Sequence, residues 1–149
     1  MKAHLKFLIP LLILFMGSCK DDVKVLCPEI LQPMIIHINY VDESGKSLFF
    51  DDNPVYSIED LYIYKIEYNE EFPIEFSADD NAKLITLSLN QSAKDTIFIQ
   101  LGPEETDEIN FIAEIDESDP CKKYVVTEVI QNNKKTNYDK QNDVWVLVK

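Results

Sequence analysis

Ala82–Asn90 reads AKLITLSLN. Ile85, Leu87 and Leu89 alternate with Thr86 and Ser88, so a strand here turns one apolar face to a core and one polar face to water. Working outward towards the C terminus, the period-two pattern returns. Asp95–Leu101 places Ile97, Ile99 and Leu101 together, and Ile109–Ile115 does the same with Ile109, Phe111, Ala113 and Ile115. Gly102-Pro103 separates the two, followed by Glu104–Glu108, which reads as an acidic loop. Asp116–Pro120 turns the chain, Lys122–Gln131 is a long strand, Asn132–Asn142 is polar, and Asp143–Lys149 is a last strand holding Trp145. Towards the N terminus, Ala78–Asn81 reads as a turn. Glu71–Phe76 lines up Phe72, Ile74 and Phe76, and Pro73 pushes it to a sheet edge. Asp60–Tyr68 puts Tyr62, Tyr64, Ile66 and Tyr68 on one face. Ser57–Asp60 suits a single capped helical turn at most. Met34–Val41 and Lys46–Phe50 suit a hairpin across Asp42–Gly45.

Short strands at this spacing, with no helical period, predict an all-β fold: an antiparallel immunoglobulin-like β-sandwich of about seven to nine strands. The likeness is one of architecture, because Trp145 follows both Cys27 and Cys121 and the Cys–Trp–Cys order of antibody domains is absent. Residues 33–149 form one domain in this reading, with no repeat and no internal linker.

The chain has 149 residues, 27 acidic against 14 basic, and no arginine; its net charge is −13. Such a charge repels a phosphate backbone and excludes nucleic-acid binding. A 46% apolar composition sets it apart from disordered acidic chains. Only Gly17, Gly45 and Gly102 are glycines, so no phosphate-cradling glycine loop exists.

The N terminus carries a different signal. Lys2 and Lys6 precede the uncharged run Phe7–Phe15, of signal-peptide length and too short to span a bilayer of about 30 Å. Met16, Gly17 and Ser18 then lead into Cys19. This stretch resembles the lipobox of bacterial lipoproteins, with Met16 where that family more often has leucine. The resemblance implies that residues 1–18 are removed and that Cys19 carries acyl chains such as palmitate. Lys20-Asp21-Asp22 resembles the surface-export signal of Bacteroidota lipoproteins, which implies an outer-membrane protein facing the cell exterior. Residues 19–32 would be a tether, and the membrane would be engaged through the lipid alone.

No stretch names a reaction. His37 is the one histidine after Cys19, no nucleophile motif accompanies it, and we expect no enzyme, no catalytic residues, no cofactor and no structural metal. The loop acids of Asp42-Glu43, Asp51–Asn53, Asp79–Asn81, Glu104–Glu108 and Asp116–Asp119 offer calcium-type oxygens but match no EF-hand spacing and read as solvated turns. Tyr62, Tyr64 and Tyr68 are candidates for ligand stacking, the alternative being a core whose hydroxyls reach its rim. Asp95-Thr96-Ile97 looks like the O-glycosylation motif of Bacteroidota exported proteins, with Thr96 as acceptor. Cys27 and Cys121 are an even pair in an oxidising compartment, both beside proline in turn-like sequence. They read as a disulfide, or else as two separate buried thiols. The functional expectation is a non-catalytic surface lipoprotein for adhesion, assembly or ligand capture. The alternative is an accessory glycan-binding lipoprotein of an outer-membrane uptake system.

Overall fold

The structure, a computed structural model, describes residues 26–27, 32–139 and 141–149. The expected signal peptide of residues 1–18, Cys19 and the tripeptide Lys20–Asp22 lie outside the described residues. The alternating stretches become strands: β1 (Met34–Val41), β2 (Tyr62–Glu67), β3 (Glu70–Pro73), β4 (Phe76–Asp79), β5 (Leu84–Leu89), β6 (Lys94–Gly102), β7 (Glu105–Ile115), β8 (Tyr124–Gln131), β9 (Lys134–Lys135), β10 (Asn137–Asp139) and β11 (Val144–Val148). Among the described residues there is no α-helix; Ile58–Asp60 is one 3-10 turn, capped by the Ser57 hydroxyl accepting from the Glu59 amide.

Two sheets form. One orders β10-β11-β1-β5-β4 and the other β3-β2-β6-β7-β8-β9. Neighbours are antiparallel except β1 and β11, which run parallel with Ile38 beside Trp145, so the all-antiparallel expectation is corrected at that pair. β1 pairs with β5 and β11 rather than forming a hairpin with Lys46–Phe50. That segment keeps only a bridge from Val41 to Ser47. Its Leu48 and Phe49 are buried instead, and Phe49 packs against Tyr40 and Tyr56.

Glu71–Phe76 is not one strand. β3 and β4 belong to different sheets, and the chain passes between them through Ile74, whose amide donates to Ile63 O at 2.8 Å. Ala78 and Asp79 lie in β4, and the turn falls after them. Proline fits this crossing because it donates no ladder hydrogen bond. The chain changes sheets again between β9 and β10, where Thr136 donates its amide to Val129 O and its hydroxyl to Val146 O, both at 3.0 Å. Asn132–Asn142, read as merely polar, thus holds two short strands. Asn132 and Asn133 both take positive φ, 49° and 63°, the geometry of a tight two-residue hairpin turn.

The inward rows of both sheets meet in one core. Ile36, Ile38, Tyr40, Leu87, Trp145 and Leu147 face Ile63, Ile97, Ile99, Leu101, Ile109 and Phe111. Trp145 touches Phe111 across the sheets, with ring centroids 5.6 Å apart. Each such side chain contributes roughly 1.5–3 kcal/mol on burial. Val126 and Val129 both face inward although three residues apart. The ladder slips between Ile112 and Ala113, and Thr127 is the extra residue of a bulge.

Candidate functional site

The outer face of the six-stranded sheet carries an aromatic stack. Along β2 the pleat sends Ile63 into the core and leaves Tyr62, Tyr64 and Ile66 outward. Tyr64 stacks on Tyr62 at 5.2 Å and 21°, and on its cross-strand partner Phe98 at 5.3 Å and 19°. The rings therefore lean on each other in a row. Tyr64 is covered by two neighbours, while Tyr62 keeps 37% of its surface exposed. Burial raises the Tyr64 hydroxyl pKa, helped by the charge of Glu71 and by Tyr62. Phe98 was missed in the sequence because the period-two pattern of β6 put it on the polar side; only the β2–β6 register shows its role. Tyr68 does not join the stack. It sits past the end of β2 in the two-residue turn to β3, with φ 53° and 93% exposure.

At one end of the molecule a polar cluster ties the sheets together. Asp107 lies in β7, inside the segment expected to be an acidic loop, and is fully buried. Its Oδ2 accepts from Tyr40 OH and Gln131 Nε2, both at 2.9 Å; its Oδ1 accepts from Asn132 Nδ2 and Lys149 Nζ, both at 2.7 Å. Burial alone would raise the Asp107 pKa. The hydrogen bonds from Lys149, Asn132, Gln131 and Tyr40 outweigh it, and the carboxyl titrates below its ordinary value. Lys149 also donates to Glu105 Oε1 at 2.7 Å, and Tyr56 OH donates to Glu105 Oε2 at 2.8 Å. Burial pulls the Lys149 pKa down, but the two carboxylates win and raise it. Every oxygen of Asp107 is satisfied, so the cluster is a clasp between sheets rather than a poised acid. Beside it, Val55, Tyr56, Asp60, Leu101, Pro103 and Glu104 line an open groove.

The other candidates sit apart. His37 faces outward between Ile36 and Ile38, and its Nδ1 lies 2.9 Å from Thr86 Oγ1. The Thr96 hydroxyl donates to Asn110 Oδ1 at 2.7 Å on the outer face of β6, so a sugar there would displace that bond. The loop acids have local work. Asp42 Oδ1 accepts from the Ser44 and Lys46 amides, Asp79 from Asn81 and Ala82, and Asp116 from Ser118. Each closes its own turn. Among the described residues no three His, Cys, Asp or Glu side chains gather as metal ligands.

Cys27 and Cys121 are joined as a disulfide, with Cα atoms 5.3 Å apart across 94 residues of sequence. No family model matches this chain, and neither a curated protein nor a solved structure matches it.

Proposed function

We propose that this chain is a non-catalytic lipoprotein of the outer membrane. Acylated Cys19 holds it there, facing the cell exterior, and its immunoglobulin-like sandwich captures a ligand or partner. The observation that carries the capture reading is the Tyr62–Tyr64–Phe98 stack on the outer face of the six-stranded sheet, with Tyr62 exposed and Tyr64 and Phe98 half-buried. Three aromatic rings outside the core add nothing to core packing beyond their own contacts, and aromatic side chains with a polar tip are favoured at binding surfaces.

A glycan is the second reading, favoured by the free surface of Tyr62 at the end of the row. The interleaved rings offer a sugar one exposed ring face and ring edges, a narrower platform than three flat tyrosines. Binding of the full chain to a glycan array tests this. Tyr62→Ala and Phe98→Ala should abolish any signal while leaving the melting transition cooperative. A wild-type chain that binds no glycan would turn the reading towards a protein partner. For the anchor, Cys19→Ala should release soluble protein, and alanine at Lys20, Asp21 and Asp22 together should keep the lipid but lower antibody labelling of intact cells. Labelling as strong as wild type would defeat the export reading.

A further inference from the structure

We propose that the end of the domain bearing the Cys27–Cys121 disulfide rests on the lipid surface, with Tyr68 as an interfacial aromatic, so that the Asp107 end points away. The inference rests on the acylation of Cys19 proposed above.

The topology defines the two ends. β1 starts beside Gln32 and runs away from it, and β11 runs parallel to β1. β6 also runs away from that end, and β7 returns to it. The Cys27 end therefore gathers the Asn90–Lys94 and Ile115–Tyr124 connections, while Val41, Gly102, Asp107 and Lys149 lie at the other. Entry of the chain is fixed twice. The disulfide holds Cys27 to Cys121. Gln91 donates to Gln32 O at 2.7 Å and accepts from the Tyr124 amide at 2.8 Å.

Reach then limits orientation. Cys27 stands eight positions after Cys19, a step of at most about 28 Å when fully extended. The 11 residues of β7 extend about 37 Å. Upright inversion would lift the disulfide end higher than the tether allows.

The surface agrees with the reach. Most of the exposed large apolar side chains lie in the tethered half, Ile35, Ile66, Tyr68, Ile112, Ile115 and Val125, against Val55, Tyr62 and Val148 in the other. Those of the tethered half lie on both sheets, as a girdle does. Tyr68 adds its own signal. A bulky aromatic at φ 53°, almost wholly in water, sits where asparagine or glycine would fit without strain. Turn geometry does not explain a tyrosine there; an interface where tyrosine rings settle does. The acids of the same end are matched in part: Lys122 pairs with Glu117 at 3.6 Å and Lys123 with Asp119 at 3.9 Å.

The test uses the full acylated chain in phosphatidylcholine vesicles carrying brominated acyl chains. Tryptophan is placed singly at the near end (Tyr68→Trp, or Ile115→Trp should the first variant melt abnormally) and at the far end (Val55→Trp). Native Trp145 is fully buried and gives a constant background. Bromine should quench the near-end tryptophan severalfold more than the far-end one. Equal quenching, or the reverse order, on a chain whose mass shows acylated Cys19 overturns the orientation alone. An unmodified Cys19 overturns the anchor reading and the orientation with it.

Discussion

Asp107 shows how a single residue decides what one end of this molecule can do. A carboxylate with no exposure is costly unless every lone pair is engaged, and four donors from β1, β8, the following turn and residue 149 engage it. The pH dependence follows. The folded Asp107 titrates below its unfolded value of about 3.9 and Glu105 is likewise lowered, chiefly by Lys149 and Tyr56. Their contribution to stability is complete above their unfolded values, about 3.9 for the aspartate and about 4.3 for the glutamate, and is lost as pH falls through the folded pKa. Lys149 and Tyr40 are both raised, so their contribution is complete below about 10 and is lost as pH climbs beyond it. Urea midpoints measured across pH should show a plateau between these limits. Asp107→Asn should cost about 3–5 kcal/mol, since it removes one member of a buried pair and leaves its partners unmatched. It should also flatten the acid limb. An acid limb of unchanged depth in that variant would show that other carboxylates govern it.

At the scale of the element, stability should grade from the middle of the six-stranded sheet outward. β6 and β7 lie inside the sheet with a partner strand on each side, doubly paired at Phe98–Gln100 and at Ile109–Ile112, while β3, β9 and β10 are two to four residues long and pair on one side only. Native-state hydrogen exchange should find the amides of Ile97–Leu101 slowest and those of Lys134–Asp139 opening locally and fast. Equal protection in the two segments would contradict this. The same gradient explains what the sequence disclosed. The strands of the core, residues 84–101 and 109–131, were legible because burial on one face imposes the alternation that pattern reading detects. Lys134–Asp139 was opaque because a polar edge strand has no buried face to impose it, although Asn132-Asn133 did signal the turn before it. Glu105–Glu108 read as a loop because acids outnumber apolar residues there. The partners that make Asp107 tolerable in a strand come from as far as 67 residues away, beyond any local window. Phe98 escaped for a related reason: its meaning lies in the register with Tyr64, and register is a property of two strands.

For the whole molecule, the disulfide closes a loop of 94 residues from outside both sheets. Its legibility came from arithmetic, an even pair of cysteines beside prolines, rather than from pattern. Closing 94 residues removes conformations from the unfolded chain, and in the chain-entropy description that stabilises by roughly 4–5 kcal/mol, an upper figure. The folded sheets lose no core contact when the bond is absent, because Cys27 is exposed and Cys121 is half-buried in a turn, its amide donating to the Asp119 carboxylate, rather than filling the core. Cys27→Ser combined with Cys121→Ser should therefore keep the near-ultraviolet signature of packed Trp145 while lowering the melting temperature by on the order of 10 °C. The loss should appear as a faster-exploring unfolded chain and not as a loosened native state, so the urea m-value should rise as the unfolded state expands. A double variant that melts with the wild type would mean that the unfolded chain is already compact around this loop. One that loses the Trp145 signature would mean that the Cys27–Cys121 link, and not the core alone, holds the two sheets together.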